Sequence, residues 1–293
     1  MSKVAFIGLG VMGFPIAGHL RTRGGHDVTV FNRTRSKAED WVARFAGKLA
    51  ATPEEAAQGA EFVFTCVGND DDLREVTLGP RGAFASLGPG AVYVDHTTAS
   101  AKIARELHEA VKARGAGALD APVSGGQSGA ENGTLTVMVG GDEGDFRKAA
   151  PLIEAYARAV NLIGPSGSGQ LTKMVNQICI AGLIEALAEG LHFARCAGLD
   201  IEKVIDTIAK GAAQSWQMEN RWRTMVDGKF DFGFAVDWVR KDFAICFDEA
   251  RANGASLPVT ALVDQFYAEI QEMEGRRWDT SSLIARLERK RGN

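Results

Sequence analysis

The chain has 293 residues, of which 45% are hydrophobic and 24% are charged, so we expect a soluble globular protein with two domains and a sizeable core. Its net charge of −4 gives no reason to expect a nucleic acid or an anionic membrane as partner. The four cysteines are widely spaced and form no CxxC pair, which argues against a disulfide framework or a zinc site and fits a reducing compartment.

No segment predicts secretion or membrane insertion. The first residues, MSKVAFIGLG, lack the long apolar region of a signal peptide. The longest apolar stretch, ICIAGLIEALAEGLHFA, is interrupted by Glu185, Glu189 and His192, so we do not expect it to span a membrane. We therefore predict a cytoplasmic protein.

Up to about residue 164, short β-rich runs alternate with helical stretches. Several runs are apolar almost throughout, as expected of strands that are buried on both faces. This alternation predicts a mainly parallel sheet with helices on both sides, an α/β Rossmann-type N-terminal domain. The predicted strands are VAFIG, DVTVFN, EFVFTCV, AVYVD, ALDAPV, TLTVMVGG and AVNLIG.

The segment GLGVMG has the pattern G-x-G-x-x-G and lies directly between the first predicted strand and a helix. In this position Gly8 permits a tight turn, Gly10 lets the backbone approach a pyrophosphate, and Gly13 allows close packing of helix and strand. The N-terminus of the helix adds free N–H groups and a positive dipole. The alternative is an ordinary turn. The predicted cofactor site comprises Gly8, Leu9, Gly10, Val11, Met12 and Gly13 here, together with Val67 in the run EFVFTCV.

The end of the second predicted strand reads FNRTRSK and indicates which dinucleotide binds. NAD sites commonly have Asp or Glu here, whereas an arginine accommodates a 2′-phosphate. Asn32 replaces the acidic residue, and the guanidinium of the next residue, Arg33, is suited to grip a phosphate. Asn32, Arg33 and Thr34 are the predicted cofactor-binding residues of this segment. NADP(H) is therefore the preferred cofactor and NAD(H) a possible one, although a solvated helix start would have the same composition.

From about Gly169 onward no strand is predicted. The first helix spans residues 169–197, with Gly198 as its stop and Asp200 as the cap of the next helix. Further helical patterns cover 200–210, 215–226, 235–253 and 257–274. We expect a Rossmann domain at 1–164 and an all-α C-terminal domain at 165–293, joined by this long helix.

Lys173 near the start of the long helix shares one helical face with Asn176 and Gln177. Hydride transfer to a carbonyl builds negative charge on oxygen, and an ammonium group can supply both a proton and a positive charge. On spacing alone, a solvated lysine explains the pattern equally well.

Five segments in a fixed order make the whole chain resemble the β-hydroxyacid dehydrogenase family, which includes 3-hydroxyisobutyrate dehydrogenase and tartronate semialdehyde reductase. The segments are GLGVMGFPIAGHL, DHTTAS, DAPVSGG, GSGQLTKMVNQ and KDF.

The resemblance implies that Lys173 is the catalytic acid and base and that Ser124, Gly125 and Gly126 bind a substrate carboxylate. It also implies that Thr98 lies near the nicotinamide ribose and the substrate, and that Lys241 reaches the cofactor. Relatives usually have Asn four residues after the catalytic lysine, where this chain has Gln177. Asn176 and Gln177 therefore both remain candidates for the substrate site.

The predicted function is hydride transfer between NADP(H) and a short β-hydroxy acid or its semialdehyde. An imine reductase on the same scaffold and a non-catalytic dinucleotide-binding protein are alternatives, and Lys173 argues against both. A 6-phosphogluconate dehydrogenase would need a much larger helical domain.

The long helix also predicts assembly. Its expected exposed flanks include Ile178, Ile180, Leu183, Leu187 and Leu191, more apolar surface than a small helical domain readily covers. We expect a homodimer or homotetramer formed through the helical domain, as in the resembling family.

Overall fold

The computed structural model describes residues 1–289. By its internal contacts the chain forms two compact units, of which the first covers Met1–Lys173 and the second begins at Met174.

Unit 1 contains a sheet of nine strands. Their bounds are β1 Lys3–Ile7, β2 Asp27–Phe31, β3 Lys48–Leu49, β4 Phe62–Thr65, β5 Val92–Asp95, β6 Gly117–Asp120, β7 Val123–Ser124, β8 Leu135–Gly141 and β9 Ala157–Gly164. The order across the sheet is β3-β2-β1-β4-β5-β6-β8-β7, with β9 also paired to β8. The six neighbouring strands β3, β2, β1, β4, β5 and β6 are all parallel to one another. Strand β8 is antiparallel to β6 and β7 and parallel to β9.

Helices connect these strands. Their bounds are α1 Gly13–Thr22, α2 Arg35–Phe45, α3 Pro53–Ala57, α4 Asp70–Leu78, α5 Ala101–Lys112, α6 Gly126–Asn132 and α7 Glu143–Ile153, with a 3-10 turn at Ala83–Ala85. Side chains at the N-caps of three of them, Thr52, Asn69 and Ser100, accept hydrogen bonds from backbone N–H groups in the first turn.

The two faces of the sheet carry separate apolar cores, because alternate residues of each strand point to opposite faces. Phe6, Val30 and Phe64 belong to one core, and Ala5, Ile7 and Val63 belong to the other. This arrangement explains why the strand sequences are apolar almost throughout, and it confirms the predicted Rossmann-type fold.

Unit 2 is helical. Helix α8, Ser168–Cys196, begins in unit 1 and continues into unit 2, where it is followed by α9 Ile201–Ile208, α10 Trp216–Val226, α11 Val236–Asn253, α12 Pro258–Glu272 and α13 Leu283–Glu288. A 3-10 turn at Thr280–Ser282 precedes α13. Gly198 has a φ of +68° and Asp200 accepts a hydrogen bond from the Lys203 N–H, so the predicted stop and cap are confirmed.

Among residues 1–289, α8 is the one helix that is long and apolar enough to cross a membrane by length and composition. Its side chains pack as core, however, because Ala181, Ile184 and Ala188 are at most 1% exposed within unit 2. The expectation that Leu187 and Leu191 are exposed is wrong, since both are buried in the same core. Leu183 is exposed as predicted, and Val175 and Phe193 are exposed as well.

Candidate active site

The carboxyl ends of the parallel strands lie at one edge of the sheet in unit 1. The strand order reverses between β1 and β4, and such a switch point is where doubly wound sheets bind their ligands. Gly8 follows β1, Asn32 follows β2, Val67 lies two residues beyond β4, and Thr98 lies three residues beyond β5. These four predicted cofactor residues, and Leu9 beside Gly8, are therefore carried by loops at this edge.

The three glycines of the loop after β1 have three different reasons to be glycine. Gly8 has a φ of +99°, and a Cβ there would lie 2.3 Å from the Cys66 carbonyl oxygen. A Cβ on Gly13 would lie 2.0 Å from the Gly8 carbonyl oxygen, so the first turn of α1 packs directly on the loop. Around Gly10 no protein atom lies within 4 Å of such a Cβ. Internal packing therefore does not explain Gly10, and the open space above it fits a pyrophosphate.

The side chain of Asn32 bridges two loops. Its Oδ1 accepts a hydrogen bond of 2.8 Å from the Leu9 N–H, and its Nδ2 donates to the Thr34 carbonyl oxygen at 2.9 Å. The Leu9 side chain is buried, whereas Val11 is 62% exposed and Met12 packs against the core. Asn32 thus fixes the phosphate loop against the end of β2, and the Leu9 N–H already has a partner in the chain.

Arg33 is an exposed cation at this edge. Its side chain is 78% exposed, and its Nη1 lies 3.1 Å from the Asp72 carboxylate in the first turn of α4. The adjacent Thr34 is the exposed N-cap of α2. A surface ion pair of this kind is weak and is readily exchanged for a stronger anion. The position of Arg33 is therefore compatible with the predicted phosphate contact.

The loop after β5 is held by hydrogen bonds at Thr97, the residue before Thr98. The Val67 N–H donates to the Thr97 hydroxyl oxygen at 3.0 Å, and the Thr97 N–H donates to the Asp95 carboxylate at 3.0 Å. Thr97 and Ala99 are both 1% exposed, whereas Thr98 between them is partly exposed. Thr98 is thus the residue of this trio that is accessible to a ligand.

The DAPVSGG segment forms the end of β6, the short strand β7 and the start of α6. Ser124 is the last residue of β7 and is partly exposed. Gly125 has a φ of +131° and Gly126 a φ of +61°, two values that side chains disfavour. The backbone path after Ser124 therefore requires glycine, and both glycines are exposed, so the backbone there is suited to an anion.

Lys173 is the sixth residue of α8 and is 8% exposed. The start of its helix is anchored to β6, because the Asp120 carboxylate accepts hydrogen bonds from the N–H groups of Gly167 at 2.7 Å and Gln170 at 2.9 Å. A Cβ on Gly169 would lie 2.4 Å from the Asp120 carbonyl oxygen. The glycines that precede the lysine thus allow the helix to approach the sheet closely.

The remaining predicted residues belong to unit 2. Asn176 donates to the Gln177 Oε1 at 2.7 Å, and Gln177 in turn donates to the Asp242 carboxylate at 2.7 Å. Lys241 lies 3.1 Å from the other oxygen of Asp242, and its Nζ is 5.8 Å from the ring centroid of Trp238. Four polar side chains are therefore connected in a row from α8 to α11.

Two buried groups behind the site have displaced pKa values. Burial raises the pKa of Asp95 to about 7, and the hydrogen bonds from Thr97 and Thr65 counteract only part of this effect. Burial lowers the pKa of His96 to about 4. The His96 ring lies between the Ala121 carbonyl oxygen at 2.6 Å and the Tyr156 hydroxyl at 2.8 Å. His96 is therefore a packed core residue.

Sequence reasoning missed three residues that hold the candidate residues in place within their own units. Asp120 and Asp242 carry the anchoring carboxylates, and Gln170 contacts the Thr98 loop through its side chain. All three lie inside the segments DAPVSGG, KDF and GSGQLTKMVNQ. The signal that could have identified them is that each is a polar residue inside one of these motifs.

Comparison with known proteins covers both units. Residues 3–164 match the family model described as the NAD binding domain of 6-phosphogluconate dehydrogenase. Residues 167–287 match the model described as NAD-binding of NADP-dependent 3-hydroxyisobutyrate dehydrogenase. The 2-hydroxy-3-oxopropionate reductase of Escherichia coli is 34% identical over 98% of this chain and 97% of its own length.

The chain belongs to the β-hydroxyacid dehydrogenase family. An uncharacterized oxidoreductase of Shewanella frigidimarina is 65% identical over 99% of this chain and 100% of its own length. The solved structure of Mycobacterium tuberculosis 3-hydroxyisobutyrate dehydrogenase with L-serine covers 99% of this chain and all of its own, with a TM-score of 0.88 and 29% identity. As a member of this β-hydroxyacid dehydrogenase family, the chain is an NAD(P)-dependent oxidoreductase that acts on a CH–OH group.

Proposed function

We propose that this β-hydroxyacid dehydrogenase interconverts a short β-hydroxy acid and its semialdehyde, with NADP(H) as the preferred cofactor and Lys173 as the general acid and base. The observation that carries the proposal is the anchoring of the Lys173 helix by Asp120 to β6, at the same sheet edge as the phosphate loop. We also propose that the nucleotide domain comprises 1–164 and the helical domain 165–293.

The cofactor fits the edge described above. The loop from Gly8 to Gly13 leaves open space at Gly10, and the N-terminus of α1 follows it. When bound, the nicotinamide supplies or accepts the hydride. Arg33 supports NADP(H), because a guanidinium forms paired hydrogen bonds to a phosphate and the residue directly after β2 is Asn32 rather than an acid. Thr98, Val67 and Lys241 are assigned to the same cofactor.

The role of Lys173 follows from the charge that reduction creates. As the carbonyl oxygen gains electrons, an ammonium group beside it donates a proton and stabilises the developing alkoxide. In the oxidation direction the neutral amine accepts the proton of the alcohol. A helix that is anchored at its first turn holds this amine in one place, which favours catalysis over a lysine on a mobile loop.

The substrate class rests on Ser124 and the two glycines that follow it. A hydroxyl group followed by two glycines with positive φ suits a carboxylate, because backbone N–H groups can approach it without side chains in the way. The relatives named above are described as acting on 2-hydroxy-3-oxopropionate or 3-hydroxyisobutyrate, both carboxylates with an oxygen function on the carbon β to the carboxyl. We also propose Asn176 and Gln177 as substrate-binding residues.

The test pairs cofactor binding with turnover in a Lys173→Met variant. The phosphate loop is intact in this variant, so NADPH should bind with nearly normal affinity in a fluorescence titration. Reduction of a semialdehyde panel, followed by NADPH absorbance, should fall by at least about 10²–10⁴-fold. Retained turnover with retained binding would show that another group is the acid. The same panel should include cyclic imines, because preferential imine turnover would favour an imine reductase.

A further inference from the structure

Gln170 is a buried amide inside the first turn of α8, and the mechanism above gives it no role. Its side chain is 1% exposed. Such a residue usually satisfies both ends of its amide inside the protein, because an unpaired buried polar group is costly. The partners of Gln170 therefore show what it holds in place.

Both ends of the Gln170 amide bind the loop after β5. Its Nε2 donates to the Thr97 carbonyl oxygen at 2.7 Å, and its Oε1 accepts from the Ala99 N–H at 3.1 Å. These two backbone groups lie on either side of Thr98. The amide thus binds the backbone groups just before and just after Thr98, as the backbone of a neighbouring β-strand would.

The backbone of Gln170 is fixed as well. Its N–H donates to the Asp120 carboxylate at 2.9 Å, and the Gly167 N–H binds the other carboxylate oxygen at 2.7 Å. Lys173 lies three residues further along the same helix, which is about one turn. One residue therefore connects the helix of the acid, the end of β6 and the loop that carries Thr98.

We propose that Gln170 is a positioning residue, which sets the place of Thr98 relative to the turn of α8 that carries Lys173. This inference rests on the proposed function, in which Thr98 belongs to the cofactor site near the nicotinamide ribose and Lys173 donates the proton. Without the two amide bonds the Thr98 loop loses its tie to the helix, while its bonds to Val67 and Asp95 keep the loop folded. Reactant alignment is lost, and a small misplacement of this kind lowers turnover steeply.

The first experiment replaces Gln170 by Leu, which has a similar volume and lacks both hydrogen bonds. Turnover should fall about tenfold to a hundredfold at temperatures well below unfolding, while the NADPH dissociation constant changes less than about threefold. Leu152→Ala, a buried substitution on α7 away from the site, is the control for lost stability. It should lower the melting temperature without a comparable loss of turnover. Equal losses of turnover in the two variants would overturn the proposal.

The second experiment tests whether Gln170 acts through Thr98. A double-mutant cycle combines Gln170→Leu with Thr98→Ala, and the Gln170 substitution should have little further effect on turnover when Thr98 is absent. Independent, multiplying losses would overturn the proposal. If the leucine variant does not fold, Gln170→Glu takes its place, because it keeps the shape and the acceptor for Ala99 but loses the donor for Thr97 when ionised. Turnover of that variant should recover on acidification relative to the parent, and a loss independent of pH would count against the proposal.

The two failures are distinguishable in these measurements. A fully active Lys173→Met variant would refute the proposed function, whatever the cycle shows. An inactive Lys173→Met variant, together with independent losses of turnover in the double-mutant cycle, would refute the role of Gln170 alone.

Discussion

Gln177 on α8 donates a hydrogen bond of 2.7 Å to the carboxylate of Asp242 on α11, and both residues are at most 3% exposed. Asp242 also forms an ion pair with its neighbour Lys241. The Gln177 amide is therefore bound to a buried acid within unit 2. This pairing gives Gln177 a stabilising role beside its proposed place in the substrate site.

The pairing predicts unequal effects of two substitutions. Gln177→Leu leaves the Asp242 oxygen without its donor and should lower the free energy of unfolding by about 1–3 kcal/mol. Asp242→Asn retains an acceptor for Gln177 and loses only the ion pair, so its effect should be smaller. Urea unfolding of both variants measures the difference. A larger loss in the asparagine variant would show that the ion pair, rather than the hydrogen bond, stabilises this contact.

Arg33→Asp tests cofactor preference. The substitution removes the proposed phosphate contact and adds a repelling charge, so the NADPH dissociation constant should rise about tenfold to a hundredfold while NADH binding changes little. Arg35→Asp is the matched control, because it changes the net charge equally two residues away, where Arg35 pairs with Glu39. If both variants weaken NADPH binding alike, the effect is one of overall charge and Arg33 has no specific role.

Ser124→Ala tests the substrate carboxylate. KM for a β-hydroxy acid should rise more than kcat falls, because the lost contact is made equally in the ground state and the transition state. An uncharged carbonyl substrate should be turned over almost as before. Ser128→Ala on the exposed side of α6 serves as the control. Equal damage with charged and uncharged substrates would mean that Ser124 orients the cofactor instead.

Asp95 and His96 predict opposing effects of pH on stability. The native pKa of Asp95 is raised from 3.8 to about 7, so its contribution to stability is greatest at low pH and is lost as the pH rises through this window. The native pKa of His96 is lowered from 6.5 to about 4, so its contribution is lost as the pH falls below 6.5. Between about pH 4 and 6.5 the two effects largely cancel.

Asp95→Asn should remove this cancellation. The variant has only the histidine effect, so between pH 6 and 5 its unfolding free energy should fall by about 1.4 kcal/mol more than that of the parent. Urea unfolding at several pH values measures the slope, and His96→Gln should change it in the opposite direction. Parallel pH profiles for parent and variant would show that Asp95 is ionised in the native state throughout this range.

The exposed apolar side chains of unit 2 predict self-association. Phe193 on α8 is 71% exposed, and Val259 and Leu262 on α12 are 59% and 54% exposed. We propose a homodimer or homotetramer through these helices, since large apolar side chains that are exposed on a monomer become buried in such an assembly. Light scattering should give more than the monomer mass, and Phe193→Glu should lower it, whereas Arg147→Glu on α7 should not. A monomeric parent at micromolar concentration would contradict this proposal.

Local patterns predicted the elements of the fold well. The apolar runs, the glycine loop after β1 and the Asp200 cap act within a few residues, so the sequence alone reveals them. The two-residue strand β3 and the C-terminal helix α13 were missed, because neither has a distinctive pattern. The exposure of Leu187 and Leu191 was wrong, since the side of α8 that is covered depends on the helices packed around it.

The contacts that position the site could not be predicted in the same way. Asn32 was recognised by the absence of an acidic residue, but its bond to the Leu9 N–H depends on the close approach of two loops 23 positions apart. Gln170 binds residues more than 70 positions earlier in the chain. Contacts of this kind depend on which strands and loops the sheet brings together, so residues nearby in the sequence do not reveal them.

Lys173 is the last residue of unit 1, and the 29-residue helix that contains it continues without a break. The boundary between the units thus falls inside a helix, where the carbonyl groups of residues 170–173 accept hydrogen bonds from residues 174–177. A fragment that ends at Lys173 would keep the Asp120 anchor and lose these bonds, so its last turn would fray. Chimeras of related enzymes joined at this boundary would accordingly receive the lysine from one parent and its helical support from the other. Exchange of substrate preference between relatives should therefore succeed more often at a junction before Gly167 than at the boundary of the compact units.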